Sequence, residues 1–370
     1  MPTERILLVE PRGYCAGVEA ALKTLAWMVV LHRDPVYCVH AIVHNRSVVD
    51  RFERLGVIFV DDIDDVPRGA PVVLSAHGSA PDVVAAAGAT RHVVDAVCPL
   101  VRKVHHEIRT RAAAGATVLY VGHPGHDEAV AAVAVAPAQT SLITTAADVD
   151  ALPDLPGPVA LLAQTTLGLD ELAAVERAAR RRFDVWTPRR SDLCYATTNR
   201  QRALRAACRH SDAVVVVGSA TSSNTRALAE LAEAQLAQRG RANRTFRVDG
   251  PDELPHELHG VVAVTAGASA PEEAVLRVIA HLDPTNGVER FAPLSEDAYF
   301  PLPPTLRARL TAAIESGEID DGLGALFHAD QWTPADALLS CIEARRKGPR
   351  VSRSAAVVMR ACWVVAEAPY

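Results

Sequence analysis

The chain has 370 residues, 49% of them hydrophobic, and a net charge of −6, enough to bury a large core and to divide into roughly two or three domains. An acidic balance argues against a general nucleic-acid binder, which carries a concentrated basic face. No apolar run reaches the ~20 residues of a membrane span, and "MPTERILLVE" lacks the layout of a secretory signal, so a cytoplasmic protein with no nucleic-acid and no membrane partner is expected.

In chain order, "RILLVE" predicts a strand, "PRGYC" a turn, and "AGVEAALKTLAWMVV" a helix. "PVYCVHAIV" predicts a strand running into His44, and "APVVLSAHGS" a strand running into His77. The pattern then restarts. "RHVVDAVC" gives a β-prone run and Cys98, a helical segment follows, and "ATVLYVGHPGHDE" and "GPVALLAQTT" are strands ending on His126 and Thr165. It restarts again with "FDVWTPRRSDLC" and Cys194, another helical segment, and the strands "DAVVVVGSATSSN" and "GVVAVTAGAS", which end on Ser222 to Asn224 and on Ser269. From Cys15 to His44, Cys98 to His126 and Cys194 to Ser222 the separation is 28 or 29 residues. Three related α/β units are therefore expected, each with a small parallel sheet. Their strand-to-helix turns lie at the carboxyl ends of the strands, where open α/β sheets bind ligands; arranged about a pseudo-threefold axis, those turns would share one cavity. A basic run such as "ERAARRRF" reads as a solvated helix face.

Seven cysteines, Cys15, Cys38, Cys98, Cys194, Cys208, Cys341 and Cys362, are odd in number and widely spread, unlike a secreted disulfide framework. Cys38 and Cys208 sit in apolar or helical runs and read as core packing. Cys15, Cys98 and Cys194 share the same setting at the start of a helix. Their separations of 83 and 96 residues match neither a zinc ribbon nor a bacterial ferredoxin. Three thiolates gathered from three units would still suit a 4Fe-4S cluster with one iron free of protein ligands, and a structural role is the alternative. Ser222, Ser223, Asn224 and Ser269 precede helices, as phosphate-binding turns do and as ordinary caps do. His44, His77 and His126 end strands and suit either anion binding or metal ligation. Glu128 reads as a proton relay or as a first-turn helix acid, and Thr165 as a hydroxyl donor or a cap.

The stretches "PRGYCAGVEAAL", "VHNRSVVD", "AHG", "DAVCPLVRKVH", "GHPGHDE", "QTTL", "DLCYATTNRQ", "VVGSATSSN" and "TAGASAPE" closely resemble the 4-hydroxy-3-methylbut-2-enyl diphosphate reductase family, iron-sulfur enzymes of the methylerythritol phosphate route to isoprenoids. They occur in the family's order over about residues 5 to 308. The resemblance implies a trefoil of α/β domains around a 4Fe-4S cluster bound by Cys15, Cys98 and Cys194. It also implies that His44, His77, His126, Ser222, Ser223, Asn224 and Ser269 hold the diphosphate of a small allylic substrate, that Thr165 lies near the substrate, and that Glu128 feeds protons, with His126 beside it. The implied reaction is a reductive dehydroxylation giving isopentenyl and dimethylallyl diphosphates, with electrons from ferredoxin or flavodoxin.

On this reading the domains span 15–97, 98–193, and 1–14 with 194–285, followed by a family C-terminal segment 286–308 and a helical extension 309–370 with no assigned role. The chain departs from the family pattern at Glu19, Ala20, Val97, Ala220 and Thr221; Val97, Ala220 and Thr221 are expected beside the cavity. Two other readings stand at this point: a diverged paralogue acting on another allylic diphosphate, and an iron-sulfur redox sensor. Glu128 and Thr165 favour an enzyme, since a sensor needs neither.

Overall fold

The structure, a computed structural model, describes residues 3–255 and 258–346. Runs such as "TVLYV", "VALLA" and "AVVVV" are apolar on both faces, the pattern of parallel strands covered on both sides by helices. They form three parallel sheets.

The first sheet runs, in spatial order, Ile58–Val60, Tyr37–Val39, Pro71–Leu74 and His92–Asp95; the second runs Thr140–Ile143, Thr117–Val121, Val159–Ala163 and Val185–Trp186. In both, the order by sequence is second, first, third, fourth. The third sheet repeats it with Thr245–Val248, Ala213–Val217 and Gly260–Ala266, but its fourth place is taken by the amino-terminal strand Thr3–Val9, and Val288–Phe291 closes the edge. Strand order reverses between the first and third strands of each sheet. This is the switch point where α/β sheets open a ligand crevice, and it is where the polar motifs emerge.

Each fourth-place strand leads into a cysteine and then a helix that packs against the next sheet. Helix Ala16–Leu31 covers Cys38, Val73 and Val94 of the first sheet; helix Pro99–Ala113 covers Val118, Tyr120 and Ala160 of the second; helix Tyr195–Ala207 covers Leu7, Val9 and Val214 of the third. The cysteines thus stand at the three junctions between sheets. The three α/β units with small parallel sheets expected from the repeat, and the trefoil the resemblance implies, are the observed architecture, and Cys38 and Cys208 are buried in its cores.

Beyond the third sheet, helices Pro304–Glu315, Asp321–His328 and Ala335–Arg346 fold back onto helix Ala16–Leu31, adding Leu306, Leu310, Phe327, Leu338 and Leu339 to the core of the first unit. The edge of Phe327 meets Trp27 at 5.9 Å between ring centres. Glu19 explains one departure from the family pattern: its Oε2 accepts the Ala335 N–H at 2.7 Å, capping a helix 316 residues downstream, where free N–H groups need acceptors. Burial pushes the Glu19 carboxyl up, opposed by that hydrogen bond and by Lys23. Arg51 pairs with both Asp336 and Glu343 at 2.7 Å. Cys341 packs partly buried against the same core, while Cys362 and the rest of the extension after Arg346 lie outside the described residues.

Lys23 is nearly buried, donates to the Asp330 carbonyl at 2.7 Å and faces its carboxylate at 3.6 Å. Lys23→Met leaves a buried carboxylate with only the Tyr299 hydroxyl, 2.5 Å away, and should destabilise the protein by about 3 kcal/mol. Urea unfolding checks this, and an unmoved midpoint would show that the Lys23–Asp330 pair adds nothing to stability.

Candidate active site

Cys15, Cys98 and Cys194 are the N-cap residues of their helices, so three helix amino termini point their unpaired N–H groups and positive dipole ends inward. Backbone hydrogen bonds set the three in equivalent places. Each cysteine N–H donates to a carbonyl in the turn after a neighbouring strand: Cys15 to Ala268, Cys98 to Ala76 and Cys194 to Thr165, at 3.4, 3.0 and 3.1 Å. The Cys194 sulfur also accepts the Thr197 N–H at 3.2 Å and donates its S–H to the Thr197 hydroxyl oxygen at 3.1 Å. Burial, aided by the neighbouring Cys15, pushes the Cys98 thiol up to about 12 and the Cys194 thiol up to about 11, the Thr197 hydrogen bonds opposing in the latter case. Thiols so placed ionise when a cation neutralises them.

The fit of a metal cluster is tested at Gly17. A Cβ there would stand 2.9 Å from the Cys98 sulfur and 3.7 Å from the Cys15 sulfur, so both thiols border space that only glycine leaves open. Soft sulfur donors around a cleared space suit an iron-sulfur group.

The three histidines form one cluster. His44 and His77 stack at 4.0 Å, and His126 meets them edge-on at 4.8 and 5.7 Å. His126 accepts the Glu128 N–H through Nδ1 at 3.2 Å, which turns its other nitrogen away from the helix. Burial lowers all three imidazoles, with their mutual repulsion adding to the effect at His77 and His126, the latter brought down to about 3. Asp127 opposes this at His44, 3.8 Å away, and also lies 3.9 Å from His77. An arriving polyanion would reverse the balance, because opposite charge favours the imidazolium form.

Facing them is the amino terminus of helix Ser223–Ala237. Ser222 caps it, accepting the Thr225 N–H at 3.3 Å, and keeps its own hydroxyl proton to donate. Asn224 Oδ1 accepts the Ala268 N–H at 2.9 Å, and Ser269 donates to the His44 carbonyl at 3.1 Å. Gln164 was passed over in the sequence, yet it links the units: its Nε2 donates to Ser223 Oγ at 3.1 Å and its Oε1 accepts the His123 N–H at 2.9 Å. Thr197 was missed as well; its i+3 spacing from Cys194 at a helix start was the available signal.

Glu128 is buried and accepts twice from Thr165, from the N–H at 2.7 Å and from the hydroxyl at 3.0 Å. Burial raises its pKa from the ordinary 4.5 to about 7 against the pull of those bonds. A carboxyl poised near neutrality and tied to a hydroxyl can store and deliver a proton.

All twelve side chains singled out in the sequence line this one cavity, with Tyr195 and Phe300 as further walls. The departures are placed differently from expectation. Ala220 and Thr221 are exposed on the outer side of their turn, and Val97 lines a separate groove on the outer surface. All three lie in turns beyond the ends of strands His92–Asp95 and Ala213–Val217, so adjacency in sequence to Cys98 or Ser222 did not bring them into the cavity.

Fold and cavity together define a trefoil α/β protein that gathers three thiols, three imidazoles and a buried carboxyl at the junction of three parallel sheets. The family model described as LytB protein matches residues 6–283, and the chain belongs to that family. It is 43% identical over 316 residues to the 4-hydroxy-3-methylbut-2-enyl diphosphate reductase of Rhodopirellula baltica, covering 83% of this chain and 97% of that protein. To the protein of the same name from Acidothermus cellulolyticus it is 42% identical over 339 residues, covering 90% and 98%. The solved structure of the E-1-hydroxy-2-methyl-but-2-enyl-4-diphosphate reductase from Plasmodium falciparum superposes with a TM-score of 0.78 at 30% identity, covering 86% of this chain and all of that one.

Proposed function

We propose that this protein reduces 4-hydroxy-3-methylbut-2-enyl diphosphate to isopentenyl and dimethylallyl diphosphates, using a 4Fe-4S cluster held by Cys15, Cys98 and Cys194. The convergence of these thiols with the histidine cluster and the Glu128–Thr165 pair in one cavity, in a chain so similar to reductases of that name, carries the reading. When bound, the cluster supplies single electrons and a Lewis-acidic iron. Reduced ferredoxin or flavodoxin would feed it, in a cytoplasm that keeps thiols reduced.

His44, His77, His126, Ser222, Ser223, Asn224 and Ser269 bind the diphosphate, aided by the positive end of helix Ser223–Ala237. The apolar cavity wall, including Val18, Val43, Leu100 and Phe300, excludes water around the allyl chain. Once protonated, Glu128 reverses its 3.0 Å contact with Thr165 Oγ1 and donates to it, and the Thr165 hydroxyl passes its own proton to the substrate's leaving oxygen, which departs as water. A redox sensor would need neither of these two residues.

Anaerobic loading with iron and sulfide, followed by an assay with the hydroxymethylbutenyl diphosphate and reduced viologen, tests the reading. The expected result is formation of both diphosphate products. Cluster-loaded protein that does not turn over would overturn it.

A further inference from the structure

On the outer face of helix Pro99–Ala113, just behind Cys98, lies a groove unrelated to the diphosphate cavity. Pro81, Val84, Val97 and Pro99 are among the residues that line it, and Val84 is 39% exposed. Arg102, Lys103 and Arg109 stand in its wall with His105 and His106, and Arg102 pairs with the lining carboxylate Asp95 at 3.3 Å. Lys103 pairs with the buried Asp192 and touches the Arg190 carbonyl, so the exposed Arg189–Arg190 turn before Cys194 borders the same face. The cations Arg102, Lys103, Arg109, Arg189 and Arg190 outnumber their carboxylates Asp95 and Asp192, so this face is net positive in a chain of net charge −6.

The wall between groove and cavity is thin. His77 and Cys98 line the cavity, while their chain neighbours Gly78, Val97 and Pro99 line the groove. Gly78 makes this possible: at φ +85°, a Cβ there would lie 3.0 to 3.4 Å from His105, Val101 and Val97. An apolar centre over a buried thiol, rimmed by cations, is what a transient charge-guided contact with an electron carrier requires.

We propose that this groove is the docking surface of an acidic one-electron carrier protein, with electrons entering beside Cys98. The proposal rests on the reductase reading. Each docked carrier is oxidised by one electron; two deliveries and two protons break the substrate's C–O bond, form a C–H bond and release water. The apolar Val97, one of the chain's departures from the family pattern, contributes to the dry centre of the contact.

The test uses full-length, cluster-loaded protein carrying Arg102→Glu with Arg109→Glu, and separately Val84→Glu, with an oxidised acidic 2Fe-2S ferredoxin as the calorimetric probe. Both variants should weaken ferredoxin binding at least about tenfold at low salt and flatten its salt dependence. Turnover with reduced ferredoxin should fall in parallel, while turnover with reduced viologen should not fall. A control, Arg180→Glu with Arg181→Glu on the exposed face of another helix, should leave ferredoxin binding intact. Unchanged binding in the groove variants, equal weakening in the control, or equal loss with viologen would overturn the proposal. Wild-type protein inactive with viologen would instead overturn the reductase reading, with the binding contrast still deciding the surface.

Discussion

Cys98→Ser should fold normally but fail to retain an iron-sulfur cluster. A serine hydroxyl ionises far less readily than a thiol and is a hard donor, poorly matched to the soft sulfide-bridged iron. Cys98 is held at a helix start by its N–H bond to the Ala76 carbonyl, and serine keeps that bond and is a favoured cap, so the local backbone should survive. Anaerobic loading should therefore give protein with native circular dichroism and without the cluster's visible absorption. Turnover should fall by more than about a hundredfold, beyond the loss expected of a merely supporting residue. Gly17→Ala separates ligand loss from crowding: all three thiols stay, but the new Cβ would sit 2.9 Å from the Cys98 sulfur. Reduced iron content is expected there too. Undiminished iron binding in Cys98→Ser would remove Cys98 from the ligand set.

Glu128→Gln should keep the cluster and the substrate affinity while lowering turnover by about 10²- to 10⁴-fold, the usual range for a positioned proton donor. The glutamine carbonyl still accepts one of the two Thr165 bonds at this buried site, so the loss reports proton delivery more than collapse. The pH dependence follows from the raised pKa of about 7: the carboxyl carries its proton below that value, so wild-type turnover should decline as pH rises through it. The same limb should be absent in the variant. Stability runs in the same direction. The folded-state value lies above the ordinary 4.5, so the stability gained from protonation is complete below about pH 4.5 and is lost as pH rises through about 7. Turnover unchanged in Glu128→Gln would rule out this proton route.

Local pattern made much of the site legible. Strand, cysteine and helix recur three times, and in each case the cysteine proved to be an N-cap, because capping depends on only a few adjacent residues. The polar motifs were legible for the same reason, since each ends a buried strand. The linking residue Gln164 and the cavity walls Thr197 and Phe300 were less so. Their importance comes from partners in other units, such as the Ser223 hydroxyl that meets Gln164 from 59 residues away.

What the sequence by itself determined was the repeat: three strand-to-helix turns bearing thiols, six polar motifs, and twelve of the polar and sulfur-bearing side chains that line the cavity. Those features live in hydrophobic periodicity and turn chemistry within windows of some thirty residues. Residues 1–14 group with the third unit already on the sequence reading, but only the tertiary structure decided that Thr3–Val9 pairs between Gly260–Ala266 and Val288–Phe291, which puts Cys15 at a junction between units. It also decided that Glu19 caps the helix beginning at Ala335, and that Val97 faces outward into a basic groove while its neighbour Cys98 faces in. Parallel pairing and helix docking join segments hundreds of residues apart through burial and hydrogen-bond satisfaction, and neither leaves a periodic trace in the chain.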